Sequence, residues 1–254
     1  MKFKFNIRRE VKIVTILVVV FALIAFTERM KGEVSVGDIE INISNVHENH
    51  FVEESDIMNL MQVDLAQMKG MSIAKVNFKE IENRIKKDPF IEDAEVYSDL
   101  KGNIIVNADL RRPIARIVRN DGPDGYIAED GTVMPVSDKF TPRVVLISGT
   151  YVRTLLSQHN ILNLDQGKNI MEMLNMIQED AFWKAQIAQL DIDGKGKVSI
   201  IPQVGDESIQ FGYAEDLEVK FRKLNIYYKE ILPRVGWNKY NRVNVEFEGQ
   251  IVAE

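Results

Sequence analysis

GMSIAKVNFKEIENRIKKDPFIEDAEVYSDLKGNIIVNADLRRPIARI, residues 70–117, is the stretch that decides the fold. Gly70 punctuates the chain ahead of it. Phe78, Ile81 and Ile85 then fall at i, i+3 and i+7, one face of a helix. Asn77, three residues before Glu80, predicts a capping-box-like start. Lys86 and Lys87 complement the carbonyl end of that helix, and Asp88-Pro89 stops it. Phe90 to Tyr97, with Ile91, Ala94 and Val96 apolar, reads as a strand. Lys101-Gly102-Asn103 is a turn. Ile104, Val106 and Ala108 alternate with Ile105, Asn107 and Asp109, which makes the second arm of a hairpin.

Upstream, Ile39, Ile41 and Ile43 alternate with Glu40, Asn42 and Ser44, a half-buried strand. His47-Glu48-Asn49-His50 reads as a polar loop. Its two histidines are three apart but lack a third ligand of clear spacing. Ile57, Leu60 and Met61 predict a short helix over Glu53 to Met61. The order strand, helix, helix, strand, strand is that of a small α+β sandwich with both helices on one sheet face, spanning residues 38–117.

Further upstream lies Ile13 to Phe26, IVTILVVVFALIAF, apolar except for Thr15. Fourteen residues rise about 21 Å as a helix, against a hydrocarbon core of roughly 30 Å. Lys12 and Arg29 at its ends can snorkel. The expectation is a transmembrane anchor over residues 13–27, with Ile13, Leu17, Phe21 and Phe26 in contact with lipid. A cleaved signal peptide has a similar apolar length, but the A-x-A pattern is absent. Lys2, Lys4, Arg8, Arg9 and Lys12 precede the run against a single Glu10. The positive-inside rule therefore keeps a tail of residues 1–12 in the cytoplasm and exports the rest. Residues 28–37 form a polar juxtamembrane linker.

The chain has 254 residues, and the length beyond an anchor suffices for two ordinary domains. Beyond the tail, 27 basic residues face 37 acidic ones. Nucleic acid is disfavoured as a partner, because counterion release needs a basic face. Cysteine is absent, which removes disulfides, thiolate chemistry and cysteine-ligated metals. No G-x-S-x-G, H-E-x-x-H, P-loop or dinucleotide fingerprint occurs. Three histidines, His47, His50 and His159, leave few nucleophile–base pairs. These absences favour a binding protein over an enzyme, with no cofactor, metal or small-molecule substrate.

Residues 118–254 read as a second mixed α+β domain. Ile170, Met171, Leu174 and Ile177 form a helical stripe between Gly167 and Trp183. Ile187 to Ile192, Val198 to Ile201 and Ser208 to Phe211 are strands. Asp191 to Gly196 begins like a calcium loop, but Lys195, Gly196 and Pro202 stand at positions five, six and twelve, so it reads as a hairpin turn. Leu217, Phe221, Leu224, Tyr228, Ile231 and Leu232 make an amphipathic helix ended by Pro233 and Gly236. The last strand runs from Val243 to Val252.

Pro89, Ile91, Ala94, Val96, Pro113, Ile114 and Ala115 match the pattern of the second half of a POTRA domain. One POTRA domain after a single N-terminal membrane helix resembles the FtsQ/DivIB cell-division family. The resemblance continues through Tyr126 to Val133, whose acidic-Gly turn is similar to the family's hairpin, and through Arg143 to Gly149. It extends to Gly212, followed by a helix containing Lys220-Phe221. Leu110 stands where the family usually has glutamate, and Asn244 and Glu246 where it often has aspartate and arginine. The resemblance implies a non-enzymatic bacterial divisome scaffold at the outer face of the inner membrane. It would recruit the small bitopic proteins FtsB and FtsL to the septum. The rival reading is a POTRA-bearing envelope assembly or secretion factor for nascent outer-membrane protein. The barrel such factors carry needs many strands of about ten residues, and the helices after Gly149 leave no room for one. An envelope hydrolase is a third reading, against which the missing motifs argue.

Val243, Val245, Phe247, Gly249 and Ile251 alternate along the last strand. A terminal strand of a mixed sheet offers one row of unpaired backbone groups, and an extended partner segment can satisfy that row. The partner-binding residues expected are therefore Tyr228, Val243, Val245, Phe247, Gly249 and Ile251, with Tyr228 beneath the strand. In the resemblance, Phe247 matches the family's aromatic in its FtsB-binding region. An interior strand with Phe247 packed in the core gives the same alternation.

Overall fold

The computed structural model describes residues 9–31, 34–45, 49–63, 68–237 and 239–254. The basic residues Lys2, Lys4 and Arg8 of the expected tail, and His47 and Glu48 of the polar loop, lie outside the described residues. The chain divides into two compact units, residues 1–44 with 52–109 and residues 45–51 with 110–254. Both mix helix and strand.

The helix Arg9–Lys31 has 23 residues. Its described side chains, residues 11–25, are all exposed. Phe26 has its backbone in this helix and its side chain outside the described ones. Among the described residues, no helix is long and apolar enough to cross a membrane. The fifteen residues with described side chains rise only about 22 Å at 1.5 Å each, so they do not by themselves make the span expected over 13–27.

The first unit holds a three-stranded sheet in the order β1 (Ile39–Ser44), β3 (Ile104–Leu110), β2 (Ile91–Ser98). β1 runs parallel to β3, with Ile39 opposite Ile104 and Ile41 opposite Val106. The helices Glu54–Met61 and Phe78–Ile85 join β1 to β2, and β2 then turns back into β3. Asn77 caps the second helix by accepting from the Glu80 N–H at 3.2 Å. Arg84 Nη1 donates to the Met61 carbonyl at 3.0 Å, tying the two helices together. Ile57, Met61, Ile81, Ile85, Ile91 and Val106 form the buried core. Gly102 turns the hairpin at φ +91°, and a Cβ there would lie 2.2 Å from the Ser35 carbonyl oxygen.

The second unit is built on nine strands. In chain order these are β4 (Pro113–Ile117), β5 (Gly125–Ala128), β6 (Val133–Pro135), β7 (Val145–Ser148), β8 (Ile187–Ile192), β9 (Val198–Pro202), β10 (Ser208–Gly212), β11 (Arg242–Asn244) and β12 (Val252–Ala253). They lie side by side as β12-β11-β10-β9-β8-β7-β4-β5-β6. Ile117, Ile147, Leu190, Ile200, Ile209 and Val243 occupy successive registers across this sheet. They share one buried core with Ile170, Leu174 and Ile177 of the helix Gly167–Glu179 and with Phe221 and Leu224 of the helix Leu217–Ile226.

Four expectations change. Pro113–Ile117, expected to close the first domain, instead pairs with β5 and β7 in the large sheet. The physical reason is vacancy: β3 already has β1 and β2 on its two sides, so the next strand must pair elsewhere. The helix expected from Gly167 to Trp183 breaks at Asp180, whose carboxylate accepts from the N–H groups of Phe182 and Trp183 and starts the helix Ala181–Gln186. Pro233 does not end its helix. A π turn, Tyr227–Ile231, precedes the last turn Leu232–Val235, where the proline stands at a position that needs no N–H. The strand expected from Val243 to Val252 is two short strands, β11 and β12, that pair antiparallel around a turn.

Candidate functional site

β12 is the outermost strand on its side of the large sheet. Its pairing with β11 fixes which of its backbone groups face outward. Arg242 N–H donates to the Glu254 carbonyl at 3.1 Å, and Glu254 N–H donates to the Arg242 carbonyl at 2.9 Å. Antiparallel pairs alternate between bonded and non-bonded rungs. Asn244 and Val252 therefore form the next bonded rung, and Val243 and Ala253 the non-bonded one between. The N–H and C=O of Ala253, and by the same alternation those of Ile251, point away from the sheet.

The connection between the two strands is held from beneath. Lys223 Nζ donates to the Val245 carbonyl at 2.9 Å and also to the Phe247 carbonyl. Asn244 Oδ1 accepts from the Glu246 N–H at 2.8 Å, and Asn244 Nδ2 donates to Gln210 Oε1 at 2.9 Å. Lys197 Nζ pairs with Glu246 at 2.7 Å. That partner holds the Lys197 ammonium pKa above its usual range. Gly249 completes the turn at φ +68°, in space that a Cβ would find empty.

The six expected partner-binding residues separate under this geometry. Val243 and Val245 are fully buried and belong to the core. Tyr228 is buried too, with its ring 6.2 Å from Trp183 and 5.9 Å from Phe182. Burial raises the pKa of its hydroxyl well above the ordinary tyrosine range. Phe247, by contrast, is 50% exposed at the tip of the turn, so it is not packed in the core. Gly249 is exposed and Ile251 half-buried. Of the six, Phe247, Gly249 and Ile251 are thus at least partly exposed, while Tyr228, Val243 and Val245 are buried.

Two residues outside those six bear on the same elements. Trp237, 41% exposed, lies 6.1 Å from the Tyr228 ring. Its signal in the sequence is a large aromatic placed directly after the helix-ending Gly236. Ala253 matters through its backbone alone, for which no side-chain pattern exists. Elsewhere, His50 is exposed and meets Phe140 edge-on at 5.4 Å. Among the described residues, no group of three or more His, Asp or Glu is placed to hold a metal ion. Asp193 uses one carboxylate oxygen to accept from the N–H groups of Lys195 and Lys197, which makes the calcium-like run a hairpin turn.

The family model described as FtsQ/DivIB, C-terminal related, matches residues 112–254. A POTRA-like domain model matches residues 36–109. A cell division protein FtsQ from Syntrophotalea carbinolica is 22% identical over 201 residues, covering 79% of this chain and 69% of that protein. Among solved structures, POTRA1-2 of the periplasmic domain of Omp85 from Anabaena aligns at 12% identity with a TM-score of 0.28. It covers 66% of this chain and 92% of that one.

Proposed function

The chain belongs to the FtsQ/DivIB family of cell-division proteins, and from that premise we propose that it is a non-enzymatic divisome scaffold that captures a small bitopic partner of the FtsB/FtsL type by strand addition at β12. The observation that carries the reading is the outward backbone row at Ile251 and Ala253, flanked by the exposed ring of Phe247. An incoming strand would bond to that row, and the aromatic would give it side-chain selectivity. Edge strands are ordinarily blunted by proline, lysine or burial. The run from Val252 to Glu254 carries no proline and no lysine, and Val252 and Ala253 are only half-buried. In the same proposal the helix Arg9–Lys31 anchors the chain in the inner membrane. Its full 23 residues rise about 34 Å, enough for a hydrocarbon core of roughly 30 Å. The amino terminus then stays in the cytoplasm, and both folded units act on the outer side.

The test is co-purification of the partner with the full chain from membranes. Ala253→Pro removes an outward donor and leaves the bonds between β11 and β12 in place. Phe247→Ala removes the exposed ring. Each variant is expected to melt like the wild type and to lose partner capture several-fold, since a main-chain bond contributes about 1 kcal/mol. If both fold and still capture the partner at wild-type strength, the edge is not the site.

A further inference from the structure

A crevice of about 720 Å³ opens in the large sheet where β4 and β7 end. These two neighbours are parallel. After β4 the chain turns to β5 on one side, and after β7 it crosses to β8 on the other. Their carboxyl ends therefore form a topological switch point, the place in open mixed sheets where loops part and ligands settle. Arg119 follows β4, Thr150 and Arg153 follow β7, and Gln189 and Asp191 of β8 line the far wall.

The chemistry of the lining is specific. Arg119 Nε is buried without a hydrogen-bond partner. Among the described residues no carboxylate pairs with its guanidinium. Arg153 is neutralised by Asp121. On the wall, Gln189 Nε2 donates to Ser148 Oγ at 2.6 Å, and Ser148 Oγ donates to Asp191 at 2.6 Å. Asp191 keeps further lone pairs for another donor. One unpaired guanidinium and one carboxylate that still accepts thus line the same crevice.

We propose that this crevice binds the carboxylate end of a peptide. Arg119 holds the carboxylate through its planar fork, the geometry that suits guanidinium to carboxylate. Asp191 accepts from the adjacent amide N–H. A phosphate dianion satisfies Arg119 but has no N–H to offer, and Asp191 repels its second charge. The site is separate from the β12 edge, and its occupancy does not depend on strand addition there.

The full chain in detergent micelles is titrated with N-acetyl-alanyl-alanine, with its C-terminal amide and with inorganic phosphate, and the amide resonances of Gly149 and Thr150 are followed. The acid is expected to shift both saturably. The amide should bind at least tenfold more weakly, because a hydrogen bond to a charged group is lost, and phosphate should not compete. Arg119→Gln should weaken the acid by a similar factor. Absence of a shift, equal binding of acid and amide, displacement by phosphate, or an unaffected Arg119→Gln each overturns the assignment. Should the variant fail to fold, the comparison of acid and amide on the wild type decides alone.

Discussion

Replacing Glu207 with glutamine should change how stability depends on pH. Glu207 is 1% exposed, and neither carboxyl oxygen has a hydrogen-bond partner. The hydroxyls of Tyr227 and Tyr228 are likewise buried without partners. Burial raises the Glu207 pKa, and the charge of Asp206 pushes it the same way. A raised carboxyl pKa means that the folded state holds its proton where the unfolded chain has released it. The stabilisation is therefore complete below the unfolded value, about 4.3, and is lost as pH rises through the higher folded value. Glutamine copies the protonated acid at every pH. The two proteins should melt alike in mild acid, and the variant should become the more stable one as pH rises toward 8. An unpaired buried polar group costs roughly 1–3 kcal/mol. At about 2–4 °C per kcal/mol for a chain of this size, the gap should open to between about 2 and 12 °C. Thermal melts of both proteins at half-unit pH steps measure it. A gap that stays constant, or that closes toward alkaline pH, refutes the reasoning.

Two further expectations concern the framework. Ile200→Ala, at a buried central position of the large sheet, should cost about 2–5 kcal/mol in urea melts, whereas Phe247→Ala should stay within about 0.5 kcal/mol. Gly102→Ala should destabilise the first unit by at least about 1–2 kcal/mol, because its φ of +91° and the Ser35 carbonyl 2.2 Å away leave no place for a methyl group. Amide exchange resolved by segment should show that loss in β2 and β3 and spare β7 to β10.

Whatever depends on neighbours in sequence was legible without coordinates. The stripe of Phe78, Ile81 and Ile85, the cap at Asn77 and the strand Ile187–Ile192 follow from periodicity and capping, which act over a few residues. The element order of the first unit, strand, helix, helix, strand, strand, was legible too, whereas the parallel pairing of β1 with β3 was not. What the sequence left open depends on partners far along the chain. RVNVEFEGQIV alternates as evenly for one long strand as for two short ones. The turn at Phe247–Gly249 is decided by Lys223, which grips two of its carbonyls from a helix more than twenty positions earlier. That turn places β12 outside β11 and exposes Phe247 while Val243 and Val245 go inward. In the same way, Pro113–Ile117 carries no local mark of which sheet it joins, and the occupied flanks of β3 decide it. Arg119 and Asp191 line one crevice only because β4, β7 and β8 lie parallel, bringing residues some seventy positions apart together. Periodicity is a property of the chain; pairing and vacancy are properties of the packed molecule.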